Sequence, residues 1–420
     1  MASSQRRPRI AVVAHAHPSV SKGGSEIAAY TLYRGLLELG HDAIHIAACP
    51  EASRNRLQFD TPGERALVFA PERNEPFYNP GSPGLARRLV ALLRAENIGL
   101  ASFHHHLNIG LSGLQMASGL PGLRSLLTLH EYTAICQRDG QMVTRPGQAL
   151  CHAASAEACT ACFPEHELAQ FTLRRNRYLG AFANIGQFIA PSRFLMERYI
   201  AWGLPRERIS VIENGLPGVA GTAPAPPRPP GDAPWVFGYF GQLNPYKGID
   251  VLLGAAELIA AQPALAARLS LRIHGTVVGQ PAAFRERLEA AVARHPFLSF
   301  AGPYQNQAVR PLMAACDYVL MPSTWWENSP VVIQEAFAAG RPVICSGIGG
   351  MAEKVQDGVS GLHARVGDPA DLVAAMRRAM NPALAATLAA GLPRPIDGAE
   401  MARQYLACLD QLPAEQRRSA

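Results

Sequence analysis

The chain has 420 residues and a mass of 45.1 kDa, too much for one ordinary core and enough for two. Apolar residues make up 48% and charged ones 17%, a balance that excludes global disorder. The net charge of +6 is mild for this length and gives no ground for nucleic acid as a partner. Only Lys22, Lys247 and Lys354 among the 39 basic residues are lysine, the rest being arginine, a bias that codon preference in a GC-rich genome explains.

The first apolar run, Ile10–Ala14, is too short for a signal peptide, and no run reaches the roughly 18 apolar residues of a spanning helix. The expectation is a soluble cytoplasmic chain whose eight cysteines are reduced. After Ile10–Ala14 the residues Gly23 and Gly24 lead into a predicted helix from Ser25 to about Leu39, with Gly40 as its stop. Further strands are predicted at Ala43–Ala48, Ile98–Phe103, Ser125–Leu129, Phe188–Ala190 and Ser210–Ile212. Leu85–Glu96 and the run Arg174, Arg175, Arg177 are basic beside apolar positions at helical spacing, which leaves peripheral membrane contact through this half open.

Thr222–Pro234 contains six prolines and reads as an extended linker. Beyond it, strands are predicted at Trp235–Phe240, Leu269–Ile273, Leu298–Phe300, Tyr318–Met321 and Pro342–Cys345, alternating with helices at Ile249–Ala261, Ala282–Arg294, Pro330–Ala339 and Ala370–Met380. Continuous apolar strands between helices indicate parallel sheets covered on both faces. The expected fold is α/β: a Rossmann-like doubly wound domain over 1–216, a linker over 217–234, and a second such domain over 235–396. A helix within 397–420 is expected to pack back on the first domain.

Two segments of the second half carry chemistry. In Glu327-Asn328-Ser329-Pro330-Val331, Ser329 suits an N-cap and Pro330 a first helical residue, so free N–H groups there suit a phosphate. Glu327 precedes that helix and Glu335 lies in its second turn, one carboxylate for the reacting sugar and one for ribose hydroxyls. The segment Gly241-Gln242-Leu243-Asn244-Pro245-Tyr246-Lys247-Gly248 follows a strand and places a cation near a diphosphate. Ser21-Lys22-Gly23-Gly24-Ser25-Glu26 stands at the equivalent place in the first half.

These residues carry a family resemblance. Residues 22–26, 191–215, 240–257, 300–304 and 315–362 resemble the family 4 glycosyltransferases of the GT-B fold, a large retaining group that uses nucleotide sugars. The resemblance implies that Glu335 holds the donor ribose, and that Glu327 and the main chain of Asn328–Val331 meet the sugar and phosphates. It implies that Lys247 balances the diphosphate, that the Gly23-Gly24 loop closes over the donor, and that His130 contacts the donor sugar. Gln242 stands where the family commonly has arginine. The activity implied is hexose transfer from a nucleoside diphosphate sugar to a glycan or lipid-linked acceptor in bacterial surface or exopolysaccharide synthesis, with no cofactor required for catalysis. A nucleotide-sugar epimerase and a non-catalytic nucleotide- or glycan-binding protein are the rival classes.

Two further clusters stand out. His15, His17 and His104-His105-His106 end strands of the first half; alternation along an extended strand argues against their convergence on a metal, so acceptor contacts are the reading. Cys136, Cys151, Cys159 and Cys162 lie in an irregular excursion over 132–165 and match a closed structural zinc site, with an iron–sulfur cluster, disulfides and free thiols as alternatives.

Overall fold

The computed structural model describes residues 8–21, 23–70, 75–219 and 233–409. Lys22, and the proline-rich linker from 220 to 232, lie outside the described residues. The chain divides into two compact units, Met1–Pro217 with Ile396–Ala420, and Gly218–Pro395.

The first unit contains β1 (Arg9–Ala14), α1 (Gly24–Glu38), β2 (Ala43–Pro50), β3 (Glu64–Phe69), α2 (Pro83–Ala95), β4 (Ile98–His104), α3 (Gly110–Ser118), β5 (Arg124–Thr128), α4 (Ala156–Cys162), α5 (Leu168–Phe182), β6 (Gln187–Ala190), α6 (Arg193–Trp202) and β7 (Ile209–Val211). Its strands form one parallel sheet in the order β3-β2-β1-β4-β5-β6-β7. The direction of winding reverses between β1 and β4, and a ligand in such a sheet sits beyond the carboxyl ends of the strands at that reversal.

The second unit contains β8 (Trp235–Leu243), α7 (Ile249–Ala260), α8 (Pro263–Ala266), β9 (Leu269–Val277), α9 (Ala282–Arg294), β10 (Leu298–Gly302), α10 (Val309–Ala314), β11 (Tyr318–Met321), α11 (Val331–Ala338), β12 (Val343–Ser346), α12 (Gly349–Lys354), β13 (Gly361–Ala364), α13 (Pro369–Ala379) and α14 (Pro382–Ala390). The sheet is again parallel, in the order β10-β9-β8-β11-β12-β13, and reverses between β8 and β11. Two cores cover its faces, one around Leu271, Leu320 and Met376, the other around Val319, Ile333 and Met351.

The last helix, α15 (Gly398–Leu409), belongs to the first unit although all of the second precedes it in the chain. Its Met401, Tyr405 and Leu409 are buried in one core with Leu32, Tyr33 and Leu36 of α1. At about 1.5–3 kcal/mol per fully buried large side chain, that stripe is enough to dock a three-turn helix. A Cβ on Gly35 would stand 1.9 Å from the Gly398 carbonyl oxygen, so the approach of the two helices requires glycine there.

The basic segments are divided between surface and interior. Leu85, Leu89 and Leu93 of α2 are buried, and Arg87, Arg88 and Arg94 are exposed. Arg174 is also buried, and it donates to the carbonyls of Thr133 and Ala134 as a strut for the cysteine excursion. Among the described residues no helix is long and apolar enough to cross a membrane.

Candidate functional site

The reversal between β8 and β11 gathers the polar residues of the second unit. β8 runs to Leu243, three residues beyond the predicted strand end, and Gly241 carries it through φ +140°. Asn244 then accepts from the backbone N–H of Lys247 at 3.0 Å, capping the single tight turn Pro245–Lys247. Gly248 is required twice over: its φ is +78°, and a Cβ would stand 1.9 Å from the Pro322 carbonyl oxygen. The turn is thereby pressed against the loop after β11, where the Thr324 N–H donates to the Tyr246 carbonyl at 2.8 Å.

This apposition brings Lys247 and Glu327 together across 80 residues of sequence. Nζ of Lys247 stands 2.6 Å from Oε1 of buried Glu327. The same oxygen accepts from Ser323 Oγ at 2.9 Å and Trp325 Nε1 at 2.7 Å. The Lys247 ammonium also lies 5.1 Å from the centre of the Trp325 ring, a cation–π contact. One carboxylate oxygen is thus saturated with donors while the lysine is held at a fixed place. Neither Ser323, Trp325 nor Asn244 was singled out from sequence, although Asn at N-cap spacing before Lys247 was a legible sign.

Glu327 is anchored from behind as well. Its carbonyl accepts from the Gly350 N–H at 2.7 Å, and a Cβ on Gly350 would stand 1.7 Å from the Asn328 carbonyl oxygen. Helix α11 starts at Val331, with Pro330 (φ −66°) rather than Ser329 in the cap position and no side-chain cap. The predicted cap is displaced by one residue, and the first-turn N–H groups have no side-chain oxygen as partner, which suits an anion. Burial pushes the Glu335 carboxyl up to about 7. Gln242 is exposed, and its carbonyl accepts from the Tyr239 hydroxyl at 2.8 Å.

In the first unit, Gly23 caps α1 and Gly24 begins it. Glu26, two residues on, is buried and accepts from Ser21 and Ser25, with His15 Nε2 3.4 Å away. Burial alone would raise Glu26, but His15 and the two hydroxyls outweigh it and hold the carboxyl down to about 2. His130 follows β5, and its Nε2 lies 3.0 Å from Nδ1 of His104. Burial, then His105 and His15, push the His130 imidazole down to about 3, so it is neutral at physiological pH.

Three of the five strand-end histidines, His15, His105 and His106, lie together, while His17 pairs with Glu64 and His104 with His130. His105 sits at φ +74°, which breaks the strand alternation just where β4 ends. The His105 ring lies tilted 4.9 Å from His15 and edge-on 5.0 Å from His106. The four cysteines also share a neighbourhood, since Cys159 feels Cys136, Cys151 and Cys162, but all four are free thiols. Burial first, then the neighbouring sulfurs, push Cys159 up to about 12. Cys162 already accepts from the Arg145 N–H at 3.1 Å, and Cys151 donates to the Ala153 carbonyl. No group of three or more His, Cys, Asp or Glu among the described residues is placed to hold a metal ion, so the four cysteines do not offer the zinc expectation ligating geometry.

Comparison with known proteins identifies the family and the fold. A family model described as Glycosyltransferase Family 4 matches residues 22–217, and one described as Glycosyl transferases group 1 matches 234–381. D-inositol 3-phosphate glycosyltransferases of Nocardioides sp. and Stackebrandtia nassauensis are 35% identical over 164 residues and 36% over 161. The matched part is 36% and 37% of this chain, and only 36% of the length of each relative. Among solved structures, Anabaena HepE in complex with UDP aligns with TM-score 0.68 at 20% identity, covering 96% of this chain and 100% of that one. Sucrose-phosphate synthase from Thermosynechococcus elongatus aligns with the same score and identity, over 96% and 99%. With two parallel Rossmann-like sheets and both family models spanning them, the chain belongs to the family 4 glycosyltransferases of the GT-B fold.

Proposed function

We propose that the protein transfers a hexose, with retention at the anomeric carbon, from a nucleoside diphosphate sugar to a hydroxyl of a glycan or lipid-linked acceptor in bacterial surface or exopolysaccharide synthesis. The observation that carries the donor half of this reading is the Lys247–Glu327 pair, fixed by Trp325 and Ser323 at the winding reversal of the second sheet. When the diphosphate leaves, negative charge grows on its oxygens while the sugar becomes oxocarbenium-like. Lys247, the backbone N–H groups of Asn328 and Ser329 in the loop before α11, and that of Val331 in its first turn are the preorganised positive groups for that charge, Pro330 setting the turn without a donor of its own. The Gly241–Gln242 turn brings backbone close to the phosphates, and Glu335 accepts from ribose hydroxyls in its ionised form.

In the first unit, neutral His130 suits a hydrogen bond to the sugar without competing for the diphosphate as a cation. The Gly23–Gly24 cap of α1 supplies the loop beside the donor. UDP bound by Anabaena HepE supports a uridine nucleotide as the first donor to try. The inositol phosphate in the relatives' names supports no specific acceptor here, because those proteins share 36% of their length with this chain.

The test is product analysis with UDP-glucose, with and without oligosaccharide and polyprenyl-linked acceptors. Acceptor-dependent appearance of an α-linked product supports the reading. Conversion of the donor sugar without acceptor would identify an epimerase instead, and saturable UDP binding without turnover would identify a binding protein.

A further inference from the structure

We propose that His104 and His105 are positioning residues that clamp the consecutive pair His130-Glu131, rung by rung, and so fix the His130 imidazole for sugar transfer. The inference rests on the catalytic reading of His130. For His104 and His105 it replaces the acceptor contacts expected from sequence with contacts to His130 and Glu131.

Strands β4 and β5 pair in parallel, with His104 opposite Thr128, so both strands end at nearly the same level. Two residues beyond that level β5 delivers His130 and Glu131, and β4 meets them with His104 and His105. The first rung is the 3.0 Å contact between His104 Nδ1 and His130 Nε2, in which one of the two nitrogens carries the hydrogen. The second is the 3.0 Å contact between His105 Nε2 and Glu131 Oε1. Side chains of neighbouring strands alternate together, so extended strands make a rung on each face, but β4 ends at His104 and His105 is already outside that regular pairing. The left-handed φ of +74° at His105 supplies the turn that makes the second rung. A non-glycine residue held there is strained, and such strain persists where the surroundings over-determine it.

The surroundings do over-determine it. His105 Nδ1 accepts from the backbone N–H groups of His106 (2.9 Å) and Leu107 (3.0 Å), which leaves its hydrogen on Nε2, aimed at Glu131. Glu131 in turn accepts from the Thr133 hydroxyl at 2.6 Å and from the Thr133 N–H, so the residue after His130 has no freedom to swing. His104 is fully buried, and the Tyr405 ring of α15 stacks on it at 6.0 Å with an 8° tilt. The Tyr405 hydroxyl is tied to Thr128 Oγ1 at 2.9 Å. The docking of the C-terminal helix thus reaches His130 through a single imidazole.

The test uses the full-length protein and two variants: His104→Phe, which keeps a ring against Tyr405 but loses the hydrogen bond to His130, and His105→Gly, which keeps the backbone turn but loses the imidazole. Ring nitrogens of His130 are followed by NMR in protein labelled at histidine. In wild type they are expected to show one neutral tautomer from pH 5 to 8, and in His104→Phe to shift toward averaged values. Unchanged His130 resonances in His104→Phe would overturn the clamp. Release of UDP from UDP-glucose is the second readout, with His130→Ala as reference. Because a 1 Å misplacement of a reacting group lowers rates about 10²-fold, both clamp variants are expected to lose roughly that much kcat while KM for the donor changes little. Added imidazole is expected to restore part of the His105→Gly rate. Wild-type kcat in both variants with an inactive His130→Ala would overturn the positioning role. Wild-type kcat in His130→Ala would instead overturn the catalytic reading of His130 and leave the clamp to the resonances. Should His105→Gly fail to fold, Glu131→Gln removes the charge at the same rung and is read in the same way.

Discussion

Removing the Lys247 ammonium is the most direct probe of the donor site. Lys247→Ala deletes one positive charge at a place fixed by Glu327, Trp325 and the Asn244 cap, while the backbone turn and its glycine keep their own supports. A unit charge 4 Å from a developing phosphate charge is worth about 4 kcal/mol at an effective dielectric near 20. Glu327 lies 2.6 Å from the same nitrogen and cancels part of that field, so about 2–3 kcal/mol remains for the transition state. The expected result is a fall in kcat of roughly 10²-fold, with each 1.4 kcal/mol counting tenfold. The assay is UDP release from a donor shown to turn over, at saturating acceptor, with the folded fraction checked by thermal melting. A Lys247→Ala rate within threefold of wild type would refute electrostatic stabilisation of the leaving group by this lysine.

Three further outcomes follow from the same structure. Gln242→Arg returns a cation to the exposed end of β8 and is expected to raise kcat/KM by about tenfold, a gain of roughly 1.4 kcal/mol; no gain would mean that Lys247 and the α11 terminus already suffice. Glu335 has its folded value raised by burial from 4.5 to about 7, so the folded state holds the extra proton between those values, and stability falls as pH rises through that window. Glu335→Gln should therefore melt higher than wild type at pH 8, by up to about 3 kcal/mol, and match it near pH 5; UDP affinity should rise from pH 6 to 8 in wild type only, and parallel profiles would refute both. His45 is fully buried with neither ring nitrogen partnered, and burial, then His17, lower it from 6.5 to about 3. Its contribution is present above pH 6.5 and lost as pH falls, so His45→Phe is expected to gain about 2 kcal/mol over wild type at pH 5 and little at pH 8; an unaltered acid limb in urea melts would refute this.

Much of the fold was legible from local patterns. Tyr318–Met321 and Ala282–Arg294 form where their apolar periods place them, because a buried parallel strand and an amphipathic helix leave period and composition marks in a single stretch of chain. The edge strands Glu64–Phe69 and Gly361–Ala364 were missed, since short edge strands carry weaker apolar runs. The α11 cap fell on Pro330 rather than Ser329, because packing of Gly350 under the Glu327–Asn328 backbone decides where that helix starts.

Sequence alone also singled out Lys247, Glu327 and Glu335, since a glycine turn and the carboxylates around a helix start are readable one segment at a time, while His130 came from the family resemblance. It did not reveal their partners. Ser323 and Trp325 matter only because the loop after β11 curls over Glu327, and Arg174 became a buried strut only because the cysteine excursion folds onto α5. The contact of His15 with His105 and His106 was hidden as well, because it depends on the left-handed turn at His105. Local chemistry and periodicity thus determined the two parallel sheets and the polar residues at their ends. Which of those residues meet was decided by long-range register and by a few glycines and one strained histidine, because contacts across 26 or 80 residues leave no period in the chain.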